Sequence, residues 1–496
     1  MIVIYPSPDR HIPALQFPQR TDGAVREDPH FDNHREENCM KQSLRQVAGT
    51  ALLAGAACMA TPAHATSEAM MDLLKVLRDN GTIDQSAYEM LVNAAKADAE
   101  QTEHQARKVA EAEAKKATRN TVKIKTKEKL AFESGDGMFK WNVFGRIMAD
   151  YTAFNDDRTE MEDGTELRRL RLGFGGTLWK VWNFKIQPDF AKGTVTMKDA
   201  WLGYKGFHDT QIKVGNHHVP FGMDLLNSSK YMMFIERSLV ANALQEHLAD
   251  RRIGLSVAHW GEQYQLQGGL FGGPANGGAD EYYNAAVRGS WAPIHEKDKV
   301  LHLGAAYVHG FKGDAGSHAI KLSTRPETHI GSKLLSTGSL EVDDYDMYSA
   351  EFAGVYGPAT LLAEYNHASL SRPRGASDLD VDGWYVSGSW FLTGEHRNYK
   401  VKDGMFHSIH PHGVVGKGGI GAWEVAVRYS DLDLTDTGAG ITGGEEQNVT
   451  LGLNWYPTRT IRFMANYVNV LNVDRPGSSH DGDEPDAFIL RSQIYW

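Results

Sequence analysis

The amino-acid sequence predicts an all-β fold, a transmembrane antiparallel β-barrel of about sixteen strands with an N-terminal helical, coiled-coil-like extension. Two observations carry this prediction. From Lys140 onward, segments of about ten residues alternate apolar and polar side chains and are separated by Gly, Asp, Asn and Pro. No apolar run reaches the roughly 20 residues that a transmembrane helix needs, and the mean hydropathy is −0.43.

The start of the chain predicts export. Residues 1–39 are polar and resemble neither a signal nor a domain, so we interpret them as a mis-called upstream extension; a genuine N-terminal tail is the alternative. Lys41 and Arg45 then form a positive region, followed by the apolar stretch 47–59 and a small-residue cleavage site at 63–65. Residues 40–65 are therefore predicted to be a signal peptide that is cleaved on export.

The two cysteines, Cys39 and Cys58, both precede the predicted mature chain. An exported chain without cysteine has no disulfide framework. Its stability must then come from burial and from backbone hydrogen bonding, as in a closed barrel.

Residues 66–130 predict a helical periplasmic segment. Apolar residues recur there at near-helical spacing, Asn80-Gly81 interrupts the pattern, and Asp84 can cap a second helix. From 94 to 117 the composition is Ala, Glu, Lys, Gln and Arg, which favours a long exposed helix. Two interpretations stay open: a coiled coil that helps a trimer assemble, or a solvated spacer.

The barrel domain is predicted over residues 131–496. Its sixteen candidate strands begin near Trp141, Glu166, Trp182, Lys198, Gln211, Ile253, Tyr264, Tyr282, Val300, Tyr345, Ala359, Asp382, Ala422, Gln447, Ile461 and Ala487. The even number is typical of bacterial outer-membrane barrels. The chain ends on the aromatic residue Trp496, which resembles the terminal signal of such barrels.

Alternation has a physical cause in a barrel, because successive side chains meet lipid outside and water inside. In residues 422–430, Val425 and Val427 share one face while Glu424 and Arg428 share the other. The last strand repeats this pattern. A soluble β-sandwich or propeller also alternates and is the alternative, but its strands are usually shorter.

Many inward positions of these strands are basic. The register places Arg169 and Arg171 in the lumen, whereas Arg168 falls on the apolar face at the end of its strand. The other inward cations are Arg146, Lys185, Lys213, Arg252, Arg288, Arg428, Arg462 and Arg491. Rings of Arg and Lys are typical of anion pores. Inward carboxylates such as Asp150 and Glu424 leave open a mixed-charge lumen with weak selectivity.

The segment 220–240, from Pro220 to Val240, is too apolar for an exposed loop although it lies between two strong strands. We expect it to fold against another part of the protein. Inside a barrel of this width it would narrow the pore.

This segment carries a resemblance to a known family. Its run Pro-Phe-Gly…Ser-Ser-Lys-Tyr…Phe-x-Glu-Arg-Ser-Leu-Val is similar to the inward-folded third loop of the phosphate-selective porin O and P family. Residues 250–254, 383–386 and 421–432 also resemble that family, and the resemblance covers about residues 130–496.

The resemblance implies a sixteen-stranded barrel, a homotrimer and an anion path through a constriction formed by the loop 220–250. Lys230 and Arg237 would contribute cations to the constriction, and Ser228 and Ser229 would donate from their hydroxyls. Arg169 and Arg171 would match the arginine-rich second strand. Unlike strongly phosphate-preferring members, this loop holds one lysine and one arginine, beside Asp224 and Glu236.

The predicted function is therefore passive diffusion of small anions, phosphate or polyphosphate first, in the lipid of a Gram-negative outer membrane. A weakly selective general porin is the alternative, and a barrel enzyme or a structural tether are others. No catalytic residues, metal ligands or cofactor are predicted; the histidines at 407, 410 and 412 are interpreted as a solvated loop. The net charge of −11 argues against a nucleic-acid partner.

Overall fold

The computed structural model describes residues 63–119, 121–126, 130–275, 282–311, 318–373 and 375–496. The predicted upstream extension 1–39, the signal peptide up to residue 62 and both cysteines lie outside the described residues. The chain divides into two compact units, Met1–Ala114 and Lys115–Trp496.

The first unit contains two helices, as the sequence predicts: α1 (Ala63–Asp79) and most of α2 (Gln85–Arg119). The backbone amide of Ala87 donates to the Asp84 carboxylate at 2.7 Å, so Asp84 caps α2. Met70 and Leu73 of α1 are more than half exposed. Among the described residues, neither helix combines the length and apolar character that crossing a bilayer requires.

In the second unit, the end of α2 is followed by a short hairpin, β1 (Val122–Lys125) and β2 (Leu130–Ser134). The barrel itself follows. Its strands are β3 (Phe139–Asn155), β4 (Gly164–Leu178), β5 (Trp182–Asp189), β6 (Thr196–Tyr204), β7 (Thr210–His218), β8 (Arg251–Trp260), β9 (Tyr264–Phe271), β10 (Tyr283–His295), β11 (Lys299–Phe311), β16 (Asp344–Tyr356), β17 (Ala359–Ser371), β18 (Leu379–Phe391), β21 (Ala422–Asp436), β22 (Ile441–Tyr456), β23 (Ile461–Asp474) and β24 (Asp486–Tyr495).

Each barrel strand pairs antiparallel with the next, and β24 returns to pair with β3, where Arg491 lies opposite Asp150. The sheet therefore closes on itself, and the prediction of a sixteen-stranded antiparallel barrel is confirmed. Closure leaves no open edge in the bilayer, so every strand finds its hydrogen-bond partners within the protein.

The two faces of each strand differ as the sequence predicts. Val425 and Val427 of β21 are 39 % and 48 % exposed, whereas Glu424 and Arg428 beside them are buried. Aromatic residues lie near both ends of the outward face. They are Trp182, Trp291 and Trp390 at one end and Tyr151 and Tyr348 at the other. This arrangement matches a lipid-facing band between two aromatic girdles.

The connections differ between the two ends of the barrel. At the end where the chain terminates, which we call the turn end, six of the seven connections between the described strands are short; the exception is residues 392–421. At the opposite loop end, two connections are long, residues 219–250 and 312–343. Short turns are typical of the periplasmic side of such barrels.

The three long connections contain short elements of their own. These are α3 (Met223–Leu226), a π-helical turn (Ala241–Gln245) and α4 (Glu246–Leu248) in the first, β12 (His318–Ile320), β13 (Ser323–Thr324), β14 (Leu335–Ser336) and β15 (Leu340–Val342) in the second, and β19 (Tyr399–Lys400), a 3-10 turn (Val401–Asp403) and β20 (Met405–Phe406) in the third. A further 3-10 turn (Ala191–Gly193) connects β5 to β6.

The lipid-facing register predicts how much stability is lost when a charge is placed in the middle of the barrel wall or at its loop end. Leu451 is 49 % exposed near the middle of β22, and Thr442 lies on the same strand at the loop end. We expect Leu451→Arg to destabilise the barrel by about 2–4 kcal/mol, because the guanidinium would enter hydrocarbon. Thr442→Arg should cost less than about 1 kcal/mol.

Urea unfolding of both variants in lipid vesicles measures this difference. Equal unfolding midpoints for Leu451→Arg and Thr442→Arg would contradict the assignment of the outward face to lipid.

Candidate functional site

The connection between β7 and β8, residues 219–250, lies inside the barrel, and we call it the inner loop. Its apolar residues Val219, Phe221 and Leu239 are fully buried. Inward side chains from several strands hold its backbone: Arg462 donates to the carbonyl of Met232 at 2.6 Å, and Asn454 donates to that of Met233 at 2.9 Å. Such donors satisfy loop carbonyls that would otherwise be buried without a partner.

The connection between β11 and β16 also turns inward. Its residue Glu327 is 1 % exposed and accepts hydrogen bonds from Arg428, Ser430 and Thr450. Leu334 and Leu335 pack in the same apolar cluster as Val219 and Phe221 of the inner loop. The barrel interior therefore contains an apolar core in which loop residues pack against inward strand side chains such as Val308 and Met347.

A third inward segment, residues 392–421, enters from the turn end, and we call it the turn segment. Arg397 pairs with the buried carboxylate of Glu424 and donates to the carbonyl of Tyr231 at 2.9 Å, so it connects the turn segment with the inner loop. Arg288 donates to the carbonyl of Gly404 at 3.2 Å.

The histidines at 407, 410 and 412, interpreted as a solvated loop, belong to a segment that is buried only in part. His410 and His412 are exposed and His407 is half-buried, whereas Phe406 and Ile409 are 2 % and 3 % exposed. The fold of the segment was missed, although its length at the turn end could have indicated it. No group of three metal-ligating side chains comes together among the described residues.

Between the inner loop and strands β3–β9, three cavities follow one another from the loop end to the turn end. We call them the outer, middle and inner chambers, and their volumes are about 380, 210 and 330 Å³. Arg168, Arg171 and Lys198 line both the outer and the middle chamber. Lys185, Asp199 and Ser228 line both the middle and the inner chamber. Neighbouring chambers therefore share walls, and we call the row of three chambers the path.

The middle chamber is the most cationic part of this path. Its lining contains eight lysines and arginines against three carboxylates. The cations are Arg146, Arg168, Arg169, Arg171, Lys185, Lys198, Arg237 and Arg251, and the carboxylates are Asp199, Glu246 and Asp250. An excess of fixed positive charge favours anions in a space this narrow.

A β-bulge places an additional arginine in the path. The register between β3 and β4 shifts between Met148 and Ala149, which pair with Arg169 and Leu167 and leave Arg168 without a partner. The side chain of Arg168 is therefore only 14 % exposed and points to the lumen, whereas Leu167 is 49 % exposed. Strict alternation had placed Arg168 on the apolar face, and one inserted residue reverses that expectation.

The carboxylate of Glu236, on the inner loop, lies among arginines. Arg168 donates to its two oxygens at 2.8 and 2.9 Å, and Arg491 donates at 2.9 Å. Burial would raise the pKa of Glu236, but the nearby guanidinium groups lower it well below its usual value, so the group is ionised. The inner loop thus supplies its own anion to the arginine cluster.

The twelve side chains predicted for the site divide into two sets. Arg146, Arg169, Arg171, Ser228, Ser229 and Arg237 line the middle chamber. The others, Lys230, Arg252, Arg288, Arg428, Arg462 and Arg491, lie outside the walls of the three chambers as the described residues define them. Arg288 pairs with Glu351, and Arg491 pairs with Asp150 as well as Glu236. Their contribution to the pore stays a prediction.

Within the first set, Arg146 donates to the hydroxyl of Ser229 at 2.7 Å, so that strand β3 and the inner loop meet at the chamber wall. Arg237 donates to the carbonyls of Asp224 and Leu225 at 2.9 and 3.0 Å and thereby shapes the inner loop. Sequence reasoning missed Lys198 and Arg251, because position along a strand does not say which cations a loop leaves uncovered. It also missed Lys402, which lies in the turn segment and not on a barrel strand.

Lys230 lies behind the chamber wall, with its ammonium over the rings of Tyr231 and Tyr495 at 5.1 and 5.0 Å. Burial lowers the pKa of Lys230 to about 7, and the charges of Arg146 and Lys185 add to the effect. Its charge therefore changes near neutral pH.

Comparison with known proteins gives the following relatives. A family described as phosphate-selective porin O and P matches residues 142–496. The chain is 27 % identical over 411 residues to Porin O of Pseudomonas aeruginosa, covering 75 % of this chain and 91 % of that protein. It is 30 % identical over 355 residues to an uncharacterised protein of Caulobacter vibrioides, covering 68 % and 69 %.

Among solved structures, the chain is similar to an anion-selective porin from Comamonas acidovorans, with a TM-score of 0.49 and 12 % identity, covering 72 % of this chain and 99 % of that one. It is also similar to the outer-membrane protein OmpT of Vibrio cholerae, with a TM-score of 0.47 and 13 % identity, covering 72 % and 98 %.

The pair between Arg397 and Glu424 predicts a large effect on stability. Arg397→Met leaves the Glu424 carboxylate buried without its charged partner, so we expect a loss of about 3–5 kcal/mol. Adding Glu424→Gln to that variant should restore part of the loss, because no buried charge then remains.

Urea unfolding in vesicles provides the measurement, and Lys400→Met is the matched control. Lys400 is an exposed cation in the same segment, so its replacement should change stability by less than about 0.5 kcal/mol. An Arg397→Met midpoint equal to that of the control would show that the pair does not hold the turn segment.

Proposed function

The chain belongs to the phosphate-selective porin O and P family and is an outer-membrane porin, and from this premise we propose that small anions, phosphate among them, diffuse passively along its three chambers. The observation that carries the proposal is the middle chamber, where eight cationic side chains face three carboxylates. The inner loop narrows the path at this point.

Arginine suits the role because its planar guanidinium presents donors that match the oxygens of phosphate or carboxylate. Arg146, Arg169, Arg171 and Arg237 replace part of the hydration shell of the anion, and Ser228 and Ser229 contribute hydroxyls. Several weak sites in succession let the solute leave again, which conduction requires.

Three further proposals concern the whole protein. Residues 40–65 act as a cleaved signal peptide after an upstream extension 1–39, and the helical segment 66–130 lies in the periplasm. The barrels assemble as a homotrimer, to which α1 contributes through its exposed apolar residues Met70, Leu73 and Val76. Transport of this kind needs no catalytic residue and no cofactor.

Ion selectivity tests the proposed function. In planar bilayers under a KCl gradient, the reversal potential of the wild type should indicate anion preference, because fixed cations exceed carboxylates in the middle chamber. Glu236→Gln removes the carboxylate that now neutralises Arg168 and Arg491, so the preference for anions should increase severalfold.

Glu262→Gln is the matched control, since Glu262 is exposed in the turn between β8 and β9; its reversal potential should equal that of the wild type. Cation preference of the wild type would refute the anion proposal. An unchanged preference in Glu236→Gln would mean that this carboxylate does not set the selectivity.

The lowered pKa of Lys230 predicts that the anion preference of the pore depends on pH. Because its pKa is lowered to about 7, the ammonium is charged at pH 6 and mostly neutral at pH 8. We expect anion preference to fall as pH rises through 7, since positive charge near Arg146 is lost.

The same reversal-potential measurement at pH 6 and pH 8 checks this expectation, with Lys230→Met for comparison. At both pH 6 and pH 8, the variant should show the lower anion preference that the wild type shows at pH 8. A pH dependence of equal size in Lys230→Met would assign the titration to another group.

A further inference from the structure

The inner chamber differs in chemistry from the constriction above it. Trp201 of β6 and Trp260 of β8 both face it, and Tyr231 of the inner loop and Phe406 of the turn segment complete an aromatic wall. Among the described residues, the lining of the middle chamber contains no Phe, Tyr or Trp side chain. The path therefore changes from a mainly polar surface, in which Leu225 and Leu226 are the apolar residues, to one with large aromatic faces.

Two lysines accompany the two indoles. The ammonium of Lys213 lies 5.2 Å from the ring centre of Trp201, and that of Lys402 lies 4.3 Å from the ring centre of Trp260. Within the described residues, neither ammonium has a carboxylate at ion-pair distance, whereas Lys185 in the same chamber is paired with Asp199 at 2.9 Å. Lys213 and Lys402 thus remain available to an incoming anion.

An inorganic anion gains little from this wall, since an indole face offers no donor to replace its water. A solute with a flat ring gains by stacking on the indole, and its carboxylate is attracted to the neighbouring ammonium. The volume of about 330 Å³ is at the lower end of the range of about 300–1,000 Å³ for sites of small organic ligands.

We propose that the inner chamber is a binding site for organic anions that carry an aromatic ring beside a carboxylate. Trp201 and Trp260 stack with the ring, and Lys213 and Lys402 hold the carboxylate. This site goes beyond the proposed diffusion of small anions. It rests on that proposal in one respect, namely that solutes reach the site along the same path. It lies on the turn-end side of the constriction, so a solute from that side meets it first.

Binding is measured by ligand-observed NMR titration of the full-length protein in detergent, which does not require conduction. Benzoate is the aromatic probe, acetate carries the same charge without a ring, and inorganic phosphate represents the small anions. We expect benzoate to bind at least tenfold more tightly than acetate or phosphate. Equal affinities for benzoate and acetate would overturn the proposal.

Variants locate the site. Trp201→Leu combined with Trp260→Leu should reduce the preference for benzoate over acetate to within about threefold. Trp291→Leu is the control, because Trp291 is 52 % exposed on the outward face of β10, and its preference should match that of the wild type. A tenfold preference that survives the double change would place the aromatic site elsewhere and refute the assignment.

Lys402→Met gives a second test that does not depend on folding of the double variant, since Lys402 is exposed in the turn segment. It should weaken benzoate binding at least threefold; unchanged binding would contradict the proposal. Tight benzoate binding by a cation-preferring pore would refute the proposed anion transport and leave this site intact. An anion-preferring pore without benzoate preference would refute the aromatic site and leave the proposed anion transport intact.

Discussion

The rest of the structure depends on backbone hydrogen bonding that is complete within the sheet, because hydrocarbon offers no partner to a peptide group. The pairing of β24 with β3 supplies the last row of these bonds. Once the sheet is closed, each strand has one face in lipid and one in the lumen. Outward valines and leucines and inward arginines and glutamates are then consequences of the same geometry.

A sixteen-stranded barrel is too wide for its strand side chains to fill, so the chain fills it with three of its own connections. Each connection brings carbonyl groups that need donors in a dry interior. Arginines on the inward faces supply them: Arg462 binds carbonyls of the inner loop, and Arg397 of the turn segment binds that of Tyr231. Much of the positive charge that looks like pore lining in the sequence thus holds the loops in place.

The charge that remains is concentrated where the inner loop approaches β3–β8. There the loop covers some cations and leaves others facing the path, and its own Glu236 neutralises part of the arginine cluster. In the proposed function, selectivity is accordingly a balance between strand arginines and loop carboxylates. Toward the turn end, the inner chamber presents the indole faces of Trp201 and Trp260. The path therefore has a polar part followed by a part with apolar faces.

The sequence by itself determined the barrel, the number of strands and the lipid or lumen face of the strand residues assigned above other than Arg168, because a period of two records the contact of each side chain with oil or water. It also indicated that the segment 220–240 is buried, since its apolar content is too high for an exposed loop. Both signals are local, because each can be read from residues that are close together in the sequence.

Only the tertiary structure decided which cations line the path. Arg168 enters the lumen through a bulge that no spacing rule reveals, and Arg288 and Arg428 are neutralised by Glu351 and Glu327 from distant parts of the chain. The turn segment likewise meets Tyr231 across more than 160 positions of sequence. Pairing of this kind depends on distances between strands and loops in the closed barrel, and the order of residues along one strand does not contain them.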